Sequence, residues 1–236
     1  MGFSNCLRAG LHPCCRAGIV LILICARMEP TLADPAAGES IFDTQGCESC
    51  HAISGPVTAV AVEERSSLKG PPLWFAGSKF KTGWLPAWLQ QPTAIRRINY
   101  GSLDEVSNQH PALSTADAEQ VGVYLSSLID QETKTGLISA DKLPRRKMFR
   151  GEKLFTKKQV CFGCHQYPSK MGDIGGFTGP TMVGAGSRLQ GDWVYAFLKD
   201  PLHYYPNGRM PVYGEKAYES FIDEELRLLS QYLTNL

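Results

Sequence analysis

Long apolar runs are missing from this chain. The longest, Gly18 to Ala26, covers 9 of 236 residues, about half of the ~20 that a membrane-spanning helix needs, which argues against a conventional transmembrane protein. A charge excess is missing too. The chain carries 24 basic and 23 acidic side chains, a net of +1, and nothing in that balance points to a nucleic-acid partner. No segment alternates apolar and polar residues convincingly, so a sheet protein is not expected. Methionine is absent between Asp34 and Lys147. What is present is 43% hydrophobic and 20% charged residues, enough apolar content for a packed core rather than a disordered tail. The length allows one large domain or two small ones of about 100–150 residues.

The N-terminus has the make-up of an export signal. Arg8 and Arg16 precede the apolar Ile19–Cys25, and Thr31-Leu32-Ala33 places small residues at a cleavage site. Residues 1–33 are expected to be a signal peptide, removed on export to the periplasm; an uncleaved anchor is the other reading, for which the run is short. Cleavage takes away Cys6, Cys14, Cys15 and Cys25 and leaves Cys47, Cys50, Cys161 and Cys164. It also removes Arg8, Arg16, Arg27 and Glu29, leaving 21 basic and 22 acidic side chains, a net of −1. The mature chain is expected to have no membrane span.

The four remaining cysteines form one motif twice: Cys47-Glu48-Ser49-Cys50-His51 and Cys161-Phe162-Gly163-Cys164-His165. C-x-x-C-H is the attachment signature of c-type haem. Two thiols on one turn form thioethers to the porphyrin, and the adjacent His points at the iron. A redox dithiol or half a zinc site would use the same cysteines. A four-Cys zinc site needs both pairs to converge and leaves both histidines unexplained. Two covalent haem c groups are therefore the expected cofactors.

The halves repeat. Gly38-Glu39-x-Ile41-Phe42 precedes the first motif and Gly151-Glu152-x-Leu154-Phe155 the second. Gly70–Pro92 aligns with Gly179–Pro201 without a gap at an offset of 109, matching Gly-Pro, Ala-Gly-Ser, Trp84/Trp193, Leu89/Leu198 and Pro92/Pro201. Each copy reads as three helices: one running into the motif near 36–50 and 149–164, a middle one carrying the Trp and ending before the proline, and a last one near 115–129 and 223–235. Thr115 and Asp223-Glu224-Glu225 are the expected starts of the last helices.

In these motifs the chain resembles a dihaem class I cytochrome c: C-x-x-C-H, then Gly-Pro-x-[Leu/Met], then Trp, then Met-Pro before the last helix. The resemblance covers residues 36–236. It implies an all-α fold of two tandem cytochrome c-type domains, 34–130 and 148–236, joined by a polar linker, 131–147. It also implies that Met210, in Arg209-Met210-Pro211, is the distal ligand of the second haem opposite His165. Met171, Met182 and Met148 are the competitors. The first domain departs from the pattern because it has no methionine. His110-Pro111 stands where Met-Pro belongs, nine positions further on than the ungapped block would put it. His110 is the expected distal ligand opposite His51; an open site or Met148 is the alternative.

The expected function is electron transfer between redox partner proteins, free or as a subunit of a respiratory or dehydrogenase complex, and not catalysis, because two six-coordinate haems leave no open iron. A dihaem oxidoreductase in which the first haem becomes catalytic on losing its distal His is the alternative. The charge is split: residues 34–140 have 7 basic and 12 acidic side chains, residues 141–236 have 14 and 10. Lobes or partners of opposite sign would follow from that split. Arg96, Arg97 and Arg209 are candidate partners for haem propionates.

Overall fold

In each half a helix stops just short of the cysteine motif. The computed structural model describes residues 34–106, 110–214 and 218–236, so the expected signal peptide lies outside the described residues. Asp34 caps α1 (Pro35–Thr44) by accepting from Ala36 N at 3.0 Å, with Pro35 in the first turn, where its missing N–H costs nothing. The expected continuation to residue 50 does not occur. Gly46 turns left-handed at φ +67° and a 3-10 turn spans Cys47–Ser49. In the second half α5 (Arg145–Lys153) runs into a π-turn, Leu154–Lys158, closed by Gln159 N to Leu154 O at 3.4 Å. An i→i+5 turn absorbs one additional residue. The sequence requires this, since Gly38 precedes Cys47 by 9 positions and Gly151 precedes Cys161 by 10. Val160 takes the place of Gly46 at φ +51°, a conformation β-branched residues seldom adopt, and a 3-10 turn over Cys161–Gly163 follows.

The ungapped repeat builds equivalent elements. α2 (Ala76–Lys79) and α6 (Ala185–Arg188) are short turns at the same offset. α3 (Trp84–Gln90) and α7 (Gly191–Lys199) end before Pro92 and Pro201, where the ring would break a helix. A further turn, α8 (Pro201–Tyr204), is capped by Asp200. The closing helices are α4 (Thr115–Ser127) and α9 (Asp223–Leu233). The cap of α4 is Ser114 rather than Thr115: its hydroxyl accepts from Asp117 N at 3.2 Å, and Thr115 instead bonds Gln90 Oε1 at 2.9 Å.

Glycine lets the first and last helices of each half touch. A Cβ on Gly38 would lie 2.0 Å from Gln120 O on α4, and one on Gly151 would lie 2.4 Å from Tyr232 Cβ on α9. Phe42, Leu85, Leu89, Val121, Tyr124 and Leu125 form the first core; Phe155, Trp193, Leu198, Leu226, Leu229 and Tyr232 belong to the second. The structure is mostly helical. A two-stranded hairpin, β1 (Tyr167–Ser169) and β2 (Gly172–Ile174), was not expected. It turns at Gly172, φ +101°, over too few residues to show alternation.

The described residues from 34 onward fall in one compact unit. The halves meet through the same position of the repeat. Phe80 and Leu189, 109 residues apart, form an antiparallel bridge. Lys81 N donates to Arg188 O at 2.9 Å and Gln190 N to Lys79 O at 2.9 Å. Side chains follow the same rule: Lys81 Nζ donates to Gly186 O at 2.6 Å, and its counterpart Gln190 Nε2 to Gly77 O at 2.7 Å. This reciprocity is that of a two-fold, isologous contact. Around it Trp74 and Phe75 of the first half enter the second core, with Phe75 stacked on Trp193 at 6.0 Å and Trp74 on Tyr204 at 6.1 Å.

Residues 131–147 lie against the second half. Asp192 accepts from the backbone N–H groups of Gly136, Leu137 and Ile138 at 2.7, 2.9 and 2.8 Å. Asp130, 4% exposed, accepts from Thr133 Oγ1 at 2.7 Å, Tyr204 Oη at 3.0 Å and Glu132 N at 3.1 Å. His203 places Nε2 3.4 Å from Asp130 and its ring edge-on to Trp74.

Candidate functional site

The two motif histidines are held alike. His51 Nδ1 lies 2.7 Å from Pro71 O and His165 Nδ1 2.6 Å from Pro180 O. A carbonyl only accepts, so Nδ1 carries the proton and Nε2 keeps its lone pair for a metal. Gly70 and Gly179 press on the rings: a Cβ would lie 2.6 Å from His51 Cε1 in one half and 2.5 Å from His165 Cε1 in the other. Burial holds both imidazoles below their usual pKa, with the carbonyls opposing it and His110 and Arg96 respectively reinforcing it. Both rings are neutral at pH 7, the form that ligates, and each has the outer partner that fixes a ligand's tautomer.

A tight backbone turn closes each motif, with His51 N bonded to Cys47 O at 3.1 Å and His165 N to Cys161 O at 3.0 Å. None of the four cysteines is in a disulfide. Burial pushes the Cys47 and Cys161 thiols up, opposite to the lowered thiol of a redox-active dithiol. Among the described residues no three or more His, Cys, Asp or Glu gather as a metal cluster. The C-x-x-C pairs therefore do not converge as a shared four-Cys zinc site requires.

In the first half the structure brings His110 to His51. Their ring centres lie 6.1 Å apart. Two imidazoles binding one ion from opposite sides, each with a metal–nitrogen bond of about 2.0–2.1 Å, would have ring centres about 6 Å apart. His110 Nδ1 lies 2.8 Å from Pro111 O, which again leaves Nε2 free. Trp88 holds the ring from the side at 4.8 Å and anchors its own Nε1 on Thr93 O at 3.0 Å.

In the second half Met210 is half-buried against the core that also takes Cys161 and Phe162. Its loop lies on the motif, with Tyr213 Oη 3.7 Å from Cys161 Sγ. Met171 is 94% exposed at the hairpin tip, no position for a ligand. Met182 N bonds Gln166 O at 2.7 Å just as Leu73 N bonds Ala52 O at 2.7 Å, a shared backbone position of the repeat.

Two imidazoles poised by carbonyls, thiol pairs one turn away and, in the first half, a second imidazole about 6 Å from the first are donors of the kind that haem c would take. Arg96 Nε, on the segment that reaches Thr178 O beside Gly179, is buried without a partner, a donor that a bound acceptor would satisfy.

Lys79 and Arg188 escaped the sequence reading. Lys79 Nζ donates to Tyr205 Oη at 2.7 Å and stands over the rings of Phe80 and Trp193 at 4.7 and 5.0 Å. The signal was available, because Lys79 and Arg188 are one repeat position and both are basic.

No protein-family model matches the chain, and no curated protein and no solved structure matches it either.

Proposed function

We propose that this chain is a periplasmic dihaem c-type cytochrome that passes electrons between redox proteins. The observation that carries the proposal is the repeated arrangement of a C-x-x-C-H turn whose His is tied to a proline carbonyl and backed by a glycine, at 2.7 and 2.6 Å in the two halves. Cys47 and Cys50, and Cys161 and Cys164, hold the haems as thioethers. His51 and His110 ligate the first iron, His165 and Met210 the second. Haem supplies reversible one-electron exchange at its iron.

The residues of this chain do the rest. Pro71 and Pro180 keep each proximal ring in one tautomer, so its basicity toward iron is constant. Gly70 and Gly179 let backbone reach the ring face. Pairs of strong ligands leave no open position, which suits transfer rather than catalysis. The isologous contact holds the two centres in one unit.

Intact mass of the exported protein is expected to equal residues 34–236 plus two haem groups, with haem absorption bands. The oxidised protein should show a weak far-red sulfur-to-iron band that Met210→Ala abolishes and Met171→Ala leaves. Ready cyanide binding by the wild type would favour a catalytic haem, and a haem-free, full-activity protein would refute the proposal.

A further inference from the structure

α1 and α5 are the same helix of the repeat, each laid on the closing helix of its own half through Gly38 or Gly151. Their exposed faces carry opposite charge. From Asp34 to Glu64 there are six acids and no Lys or Arg; from Lys142 to Lys158 there are eight cations and one acid. Glu39 and Asp43 are exposed on α1, and Glu119 on the adjoining α4. Arg145, Arg146, Lys147, Arg150 and Lys153 are exposed on α5. Among the described residues only Arg150 of these side chains is in an ion pair, with Glu224 at 3.4 Å.

Neither pattern serves the helix that carries it. Glu39 and Asp43 stand four residues apart, as do Arg146 and Arg150, and like charges at that spacing repel. Asp43 lies in the last turn of α1, and Arg145, Arg146 and Lys147 lie in the first turn of α5. Each is the helix end where the dipole favours the other sign. Nor do these charges join the halves, whose contact runs through 77–81 and 186–190. The duplicate helix shows what the fold itself needs: the glycine, Phe42 and Phe155 are kept for the core, and the surface charge is inverted. A charge pattern that breaks local rules in both copies answers to something outside the chain.

We propose that the α5 face of one molecule docks on the α1 face of a second copy, head to tail. The chain itself displays the surface that each face fits. An anionic lipid surface or an unrelated acidic protein would engage α5 alone and leave the acidic face without a role. The contact is heterologous: it uses a different patch on each molecule and leaves one free face of each sign, so association continues into open chains or closes as a ring. Phe149, 56% exposed among the cations with Lys153 Nζ 4.6 Å over its ring, is the apolar anchor of the kind that dominates interfaces. The proposal stands on these surfaces and does not depend on haem.

Sedimentation velocity of the exported protein over a range of concentrations tests this, at about 0.01 M salt, where charges act over about 30 Å, and at about 1 M, where they act over about 3 Å. The wild type should gain mass with concentration at low salt and be a monomer at high salt. Phe149→Ala should weaken the low-salt association about fivefold or more. Arg146→Glu/Arg150→Glu/Lys153→Glu leaves acidic surface at both ends, and Glu39→Lys/Asp43→Lys/Glu119→Lys leaves basic surface at both. Each variant alone should stay monomeric, and an equal mixture of the two should associate. A wild type that stays monomeric at low salt overturns the proposal, and binding of that monomer to phosphatidylglycerol vesicles would give the basic face to lipid instead. Association of either variant alone, or a mixture that stays monomeric, overturns it too. Should a reversed variant fail to accumulate, Arg146→Gln/Arg150→Gln/Lys153→Gln carries the test: it must stay monomeric where the wild type associates.

Discussion

Phe80 and Leu189 pair with each other across the molecule, and they are the same residue of the repeat. A duplicated domain that meets its copy through one shared position needs complementarity only to itself. The two copies have since diverged on either side of that axis. Lys81 and Gln190 do the same task with different chemistry, each reaching a glycine carbonyl of the opposite half.

Gln190 is therefore expected to hold the halves together. Its Nε2 serves Gly77 O at 2.7 Å and Phe80 O at 2.8 Å. Gln190→Ala strands two carbonyls and should cost about 1–3 kcal/mol. Urea unfolding should show a lower midpoint at similar slope, with the haem spectrum intact. An unchanged midpoint would mean the contact contributes nothing.

Asp130 should make the protein acid-sensitive in a defined window. Burial works to raise its pKa, but the hydrogen bonds from Thr133, Glu132 N and Tyr204, with His203 nearby, hold it below the usual 3.8. A depressed carboxylate contributes stability above its unfolded pKa and loses it as pH falls through the folded one. Asp130→Asn should lower Tm at neutral pH, by about 1–3 kcal/mol in stability, and the gap to wild type should close below pH 3.8. A gap that persists there would assign the loss to shape rather than charge.

Gly179 should be intolerant of a side chain. Its added Cβ would stand 2.5 Å from His165 Cε1, so the ring or the loop must shift, at an overpacking cost of about 1–3 kcal/mol. Gly179→Ala is expected to move the second haem's potential and spare the first; Gly70→Ala should do the reverse. Both waves holding still in both variants would show that these glycines do not back the ligands.

His110→Met tests the polarity of the molecule. Thioether favours reduced iron and a second imidazole favours oxidised iron, so the first haem is expected at the lower potential and the second at the higher. On the proposed dihaem reading electrons are expected to enter at the acidic first half and leave from the basic second. The substitution should raise the lower wave and leave the upper nearly fixed; if neither moves, His110 is not a ligand.

What the sequence determined alone was local. Two C-x-x-C-H turns, the ungapped repeat, the helix ends before Pro92 and Pro201, and the missing methionine that draws His110 into consideration all follow from residue identity and spacing, because turn geometry, proline sterics and helix periodicity act over a few residues. Gly46 and the extra residue before Cys161 already foretold the early stop of α1 and the π-turn, though neither was read that way. Only the tertiary structure decided which residues meet from distant parts of the chain. His110 lies 59 positions beyond His51, past α2 and α3, a separation no local pattern spans. Met171 and Met210 differ in burial, not in type. The self-pairing of Phe80 with Leu189 depends on how two copies dock, a matter of surface shape and charge summed over both halves, which no local spacing encodes.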